Sequence, residues 1–222
     1  MSEPLLVQTE GGVRTWTLNR PETRNPISEP EMIEAMEGAV LDANRDPGVR
    51  AIVLTGAGTA FSSGGNVKDM ANKEGMFAGG PAGLRTAYRD NIQRIPRAMH
   101  ALEVPVIAAV NGPAVGAGCD LTAMCDVRIA SETAYFAESF VKLGIVPGDG
   151  GAWFLHRLVG PARAAEMVLL GEPVGAQQAL EWGLVSRIVP ADQLRDTATE
   201  LAQGIAANPP GAVRMAKKLL RE

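Results

Sequence analysis

The chain has 222 residues, with 21 Lys and Arg against 25 Asp and Glu, two His, and 46% hydrophobic residues. That length holds one domain with a substantial core, and a net charge of −4 argues against a partner as acidic as a nucleic-acid backbone. The longest apolar run, Val106–Val110, is too short to span a bilayer, and Met1-Ser2-Glu3-Pro4 is unlike a secretory address, so the expectation is a cytoplasmic protein with no membrane partner.

In chain order, Val13–Leu18 and Ala51–Leu54 read as strands. Between them Glu31–Asn44 carries Met32, Met36 and Ala39/Val40 on one helical stripe. Ser28 and Glu31 have the spacing of a capping box, with Pro30 in the tolerated first turn. Leu84, Tyr88, Ile92, Ile95, Met99 and Leu102 step by 4, 4, 3, 4 and 3, and Pro96 should break that helix near Ile92–Ile95. Val104–Val110 reads as a buried strand, and Val127–Ala130 and Leu184–Val189 as further strands. Helices are expected over Pro161–Leu170, Ala176–Trp182, Asp192–Ala207 and Gly211–Arg221. No fixed-period repeat divides the chain, and the order of elements predicts an α/β body with a helical C-terminal end.

Cys119 and Cys125 are too few for a disulfide framework and form no CxxC pair, so they read as reduced, buried thiols. With only His100 and His156, and no HxxxH, a metal site is not expected.

Three glycine-rich turns remain. Gly56-x-Gly58-x-x-Phe61 and Gly116-x-Gly118-x-x-Leu121 both lack the third glycine of a dinucleotide fingerprint, and no GK[ST] exists for a P-loop. Neither Ser62 nor Ser63 has the flanking glycines of a nucleophile elbow. What remains are strand-to-turn junctions whose small residues expose peptide N–H groups suited to an oxyanion. Asp120 follows Ala117 by about one helical turn and faces the same side. By spacing it reads either as a first-turn carboxylate balancing the helix dipole or as a group that moves a proton beside a polarised carbonyl. Asp149, in Pro147-Gly-Asp-Gly-Gly151, reads either as an Asx-turn residue or as a carboxylate aimed into a cavity.

The combination resembles the crotonase superfamily, the enoyl-CoA hydratase/isomerase family. Arg20-Pro-Glu-Thr-Arg-Asn-Pro-Ile-Ser28 is similar to its N-terminal signature, and Gly58-Thr-Ala-Phe-Ser-Ser-Gly-Gly-Asn-Val-Lys68 to its first oxyanion segment. Val106-Ile-Ala-Ala-Val-Asn-Gly-Pro-Ala-Val-Gly-Ala-Gly-Cys-Asp-Leu121 is similar to its second. Leu143-Gly-Ile-Val-Pro-Gly-Asp-Gly-Gly151 and Gly183-Leu-Val-Ser-Arg-Ile-Val189 continue the likeness, which runs from about Val13 onward.

The resemblance implies a crotonase-like α/β spiral of ββα units over residues 1–190 and a helical region over 191–222 used in trimerisation. It implies a homotrimer or dimer of trimers, and a role in fatty acid metabolism. It implies an acyl-CoA thioester substrate whose carbonyl oxygen is held by the backbone N–H groups of Gly65 and Ala117. Coenzyme A enters with the substrate, and no separate cofactor is implied. Gly65, Asn66, Val67 and Lys68 would line the thioester and pantetheine path. Arg24 reads either as a contact for the nucleotide end of CoA or as a solvated turn charge.

Hydratases of this family use two glutamates. The first position holds Asp120 here and the second holds Phe140, which transfers no proton, so isomerase- or hydrolase-type chemistry is expected over hydration. Asp120 and Asp149 are then the catalytic candidates. Partial desolvation beside Phe140 is expected to raise Asp149 and make it a better base near neutral pH, and Asp120, at a helix N-terminus, is expected to stay ionised more readily and to orient substrate or water. The rival is a catalytically silent acyl-CoA binding protein.

Overall fold

The computed structural model describes residues 3–222, the side chains of Val67, Lys68 and Pro81 excepted. The chain opens with β1 (Leu5–Glu10) and β2 (Val13–Leu18), then α1 (Pro30–Arg45), β3 (Ala51–Gly56), α2 (Val67–Asn72), α3 (Pro81–Asp90) and α4 (Arg94–Ala101). It continues through β4 (Val106–Val110), β5 (Ala114–Val115), α5 (Ala117–Ala123), β6 (Val127–Ser131) and β7 (Tyr135–Ala137). Then come α6 (Gly151–Leu170), β8 (Val174–Gly175), α7 (Ala176–Glu181), β9 (Arg187–Val189), α8 (Leu194–Ala206) and α9 (Pro210–Arg221). A six-stranded sheet has the order β1-β2-β3-β4-β6-β9, and a small second sheet the order β5-β7-β8. β1 runs antiparallel to β2; every other pairing in the large sheet is parallel. No helix among the described residues is long and apolar enough to cross a membrane.

The central strand β4 is apolar throughout, and β3 over its first four residues, because both faces are covered. Ile52 and Leu54 of β3, with Val106, Ala108 and Val110 of β4, face a core that includes Met32, Met36 and Val40 of α1 and Ile95 and Met99 of α4. Ala51, Val53, Ile107 and Ala109 face the other way, onto Leu194, Ala198, Ala202 and Ala206 of α8. The small side chains of α8 at a spacing of four let that helix lie close on the sheet. The C-terminal helical region and the sheet therefore share a core.

Most elements form where their periodicity places them, and the departures have local causes. β1 is an edge strand with Val7–Glu10 largely exposed, so it has no alternating apolar signal to read. The helix expected through Ile92 and Ile95 stops at Asp90 and restarts at Arg94, which puts Pro96 in the first turn of α4, where its missing N–H costs nothing. α6 begins ten residues before Pro161, at Gly151; Gly160, at φ +78°, bends it just ahead of that proline. Leu184 and Val185 are not strand: both N–H groups bond to the Ala179 carbonyl and close the end of α7. The capping box is also absent. Ser28 Oγ accepts from the Asn66 N–H at 3.0 Å, and Glu29, without a side-chain cap, precedes Pro30. The hydroxyl is used to hold a distant loop instead of its own helix.

Candidate active site

The carboxyl ends of β3 and β4 open into the two glycine-rich turns, the place where an open α/β sheet forms its crevices. Asn111 ties the turns together: its Oδ1 accepts from the Gly56 N–H at 3.1 Å and its Nδ2 donates to the Gly58 carbonyl at 3.1 Å. The segments then run side by side. Phe61 and Ser62 N–H groups donate to the Pro113 carbonyl, and Val115 N–H donates to the Ser62 carbonyl at 3.0 Å. Asn25, fully buried at φ +57°, holds the first turn from below, with its Nδ2 directed at the carbonyls of Ala57, Ala60 and Phe61.

This pairing forces Gly64 against the start of α5. A Cβ on Gly64 would lie 2.3 Å from the Val115 carbonyl oxygen and 2.9 Å from the Ala117 nitrogen, so only glycine fits. Gly65 and Ala117 are thereby brought to adjoining turns, and among the described residues neither N–H has an acceptor. The Ala117 N–H is unsatisfied because it belongs to the first turn of a helix.

Gly65 lines one cleft, and Met70, whose methyl lies over Gly65, lines another. The first, polar and of about 680 Å³, is lined by Glu22, Thr23, Arg24, Pro26, Ser63, Gly65 and Asn66, so three of the expected binding residues share one cavity. Arg24 is exposed at this cleft. The other, of about 510 Å³, is apolar and is lined by Met70, Phe77, Leu84, Tyr88, Leu143 and Ile145 among others. Val67 and Lys68 begin α2, but their side chains lie outside the described residues.

Behind Ala117 is a dry cluster of acids. Asp120 is fully buried, Glu138 is 1% exposed and Asp149 is 6% exposed. Both carboxyl oxygens of Asp120, both of Glu138 and Oδ1 of Asp149 have no hydrogen-bond partner among the described residues. Burial, and then the charge of Asp120, push Asp149 up to about 8. Burial raises Glu138 to about 7, although the neighbouring Asp120 and Cys119 side chains favour its charged form. Tyr88, pushed up to about 12 by burial and by Asp149, connects this cluster to the apolar cleft; its ring lies 3.2 Å from where a Gly148 Cβ would be.

The expectation that Asp120 stays ionised fails. Burial, with Glu138 beside it, drives Asp120 well above the ordinary carboxylate range, and the nearby Gly151 amide offsets this only in part. A short helix dipole does not outweigh the loss of water around a charge. The raised value expected for Asp149 is found.

Phe140, expected at the place of a second glutamate, is buried, with its ring 3.6 Å from where a Gly116 Cβ would be. Sequence reading missed Glu138, which supplies a second carboxylate next to Asp120 from two residues earlier. Its signal was present: a lone acid within the apolar stretch Tyr-Phe-Ala-Glu-Ser-Phe, just after β7. Cys119 and Cys125 are free and buried.

The profile of the enoyl-CoA hydratase/isomerase family matches residues 8–222. A probable enoyl-CoA hydratase of Mycobacterium bovis is 38% identical over 216 residues, covering 97% of this chain and 80% of that protein. The 1,2-epoxyphenylacetyl-CoA isomerase of Escherichia coli is 38% identical over 225 residues, covering 99% of this chain and 82% of the isomerase. The crystal structure of an enoyl-CoA hydratase from Bacillus anthracis superimposes with a TM-score of 0.89 at 35% identity, covering 98% of this chain and 82% of that one.

Proposed function

The chain belongs to the enoyl-CoA hydratase/isomerase family of the crotonase superfamily, and from that premise we propose that it processes an acyl-CoA thioester by stabilising its enolate in a backbone oxyanion hole. The observation that carries this reading is the approach of Gly64 to Ala117, which sets two unmatched N–H groups, those of Gly65 and Ala117, on adjoining turns. Such donors act most strongly on a carbonyl oxygen that gains charge in the transition state.

Arg24 and Asn66 would receive the CoA portion in the polar cleft, with Val67 and Lys68 following along α2. The acyl group would enter the apolar cleft lined by Leu84 and Tyr88. Asp149, uncharged over much of the neutral range and beside the acyl cleft, and Asp120 behind the oxyanion turn would carry the proton. With Phe140 in place of the second glutamate, a proton shift within the acyl group or hydrolysis of the thioester is favoured over addition of water. Relatives named as hydratases and as an isomerase support acyl-CoA chemistry at the coarser level. Coenzyme A arrives as part of the substrate, so this reading uses no further cofactor. It places the enzyme in the cytoplasm, in fatty acid metabolism, as a homotrimer or dimer of trimers.

Turnover of a panel of CoA thioesters, followed by mass spectrometry, tests the proposal. Replacing Ala117 by Pro removes one donor, and the expected loss on the substrate found is on the order of a hundred-fold or more. An unchanged rate would overturn the oxyanion assignment. The buried Phe140 ring favours one rival, a silent acyl-CoA binding protein. Tight binding of thioesters with none converted would establish it.

A further inference from the structure

Asp120 and Glu138 together bury four carboxyl oxygens, none with a hydrogen-bond partner among the described residues. A carboxylate offers no donor, so neither acid satisfies the other unless a proton lies between them. Two bare anions in contact without water would be among the most costly arrangements a core can hold. Among the described residues no basic group relieves them. The groups that face the pair are Cys119 on α5, Asp149 on the turn before α6, and the Gly151 amide, with Tyr88 beyond Asp149. Gly151 also explains how tightly the pair is held, since a Cβ there would lie 1.7 Å from Asp120 Oδ1.

We propose that Asp120 and Glu138 hold one proton between them, and that Glu138 is the positioning residue that keeps Asp120 a hydrogen-bond donor. The inference rests on the reading of Asp120 as part of the acyl site. Glu138 is the better acceptor because the neighbouring Asp120 and Cys119 side chains favour its charged form, whereas for Asp120 the Glu138 charge adds to burial in favouring the protonated form. An aspartic acid in donor form, one turn from the Ala117 amide, can deliver a proton to an enolate carbon or oxygen. An aspartate cannot. Asp149, set apart on its own loop, is then left to take, in its ionised form, the proton that starts the reaction; Asp120 gives one back to the substrate, and the proton on Asp149 returns to the Asp120–Glu138 pair through solvent to restore the site. The pair titrates as a unit, so its two protons leave in two steps that belong to both residues.

The first test needs no substrate. Infrared spectra of the wild-type protein at neutral pH, with aspartate or glutamate labelled at the side-chain carboxyl carbon, should show a protonated carboxyl stretch carried by the aspartate label. Recorded in an Asp149→Asn background, which removes the other raised aspartate, that band should be lost when Asp120→Asn is added. In Glu138→Gln the partner charge is gone and an amide donor faces Asp120, so Asp120 should ionise at a pH lower by about one unit or more. Glu138→Asp, which keeps the carboxyl, should retain the band. The basic limb of the kcat/KM profile on the identified thioester should move down with Glu138→Gln by the same shift. A wild-type spectrum with every buried carboxyl ionised would overturn the proposal, even if Glu138→Gln fails to fold. So would a Glu138→Gln protein that loses rate with its pH profile unmoved. If no thioester is turned over, the functional reading fails while the infrared band still decides the shared proton.

Discussion

Gly64 sits against Ala117 so closely that its missing side chain is what brings the two glycine-rich turns together. Gly64→Ala adds a Cβ at φ +83° and 2.3 Å from the Val115 carbonyl oxygen. The turns must separate, and the Gly65 and Ala117 amides with them. The rate on the identified thioester should fall about a hundred-fold or more. Strain of about 1–3 kcal/mol should lower Tm by several degrees. Paired kinetic and melting measurements check this, and a full-rate variant would show that the two amides do not act as a unit.

Asn25 makes the sharpest prediction on stability. Its side chain reaches three backbone carbonyls and accepts the Arg20 N–H at 2.8 Å. Asn25→Ala leaves those groups buried and unsatisfied and should cost about 2–4 kcal/mol in urea unfolding. Arg24→Ala, at an exposed neighbouring position, should leave stability nearly unchanged and weaken CoA binding. Equal unfolding midpoints for Asn25→Ala and the wild type would contradict the role given to this residue.

Asp149 links catalysis to pH. Its value rises from 3.8 to about 8 on folding, so the folded chain binds the extra proton between those limits. The resulting stabilisation is fully present below about pH 4 and is lost as pH rises through about 8. Thermal melts across that window should show the wild type losing stability toward alkaline pH and Asp149→Asn losing less. The same substitution should lower kcat/KM by about 10²–10⁴-fold if Asp149 takes the proton. A variant that retains full activity while Asp120→Asn is inactive would leave Asp149 as a turn residue.

Phe140 sets the expected reaction. Under the proposed assignment its buried ring stands in for a second glutamate, so hydration of crotonyl-CoA should be feeble in the wild type. Phe140→Glu should raise it, at a cost in stability from an acid placed in an apolar wall. Wild-type hydration as fast as that of the relatives named hydratases would show that Glu138 or Asp149 replaces the missing acid.

The sequence by itself determined the elements with strong periodicity and the two glycine-rich turns. β4 reads from an unbroken apolar run because both faces of a central parallel strand are buried. The proline in α4 and the stripe on α1 are equally local signals. The closeness of Gly64 to Ala117 was legible only as a motif, since no spacing along one chain states how two distant loops pack. The acids show the limit most clearly. Asp120 reads as an ionised first-turn residue from its neighbours in sequence, because a helix dipole is a local property. Its carboxyl is raised first by burial and then by Glu138, which lies 18 positions away in the chain and arrives only when β7 pairs with β5 beside α5. Ser28 shows the same division in miniature. Local spacing assigns its hydroxyl to a helix cap, while the folded chain gives it to the Asn66 amide. Charge and hydrogen-bond state depend on what water is excluded and which groups meet, and tertiary packing alone decides both.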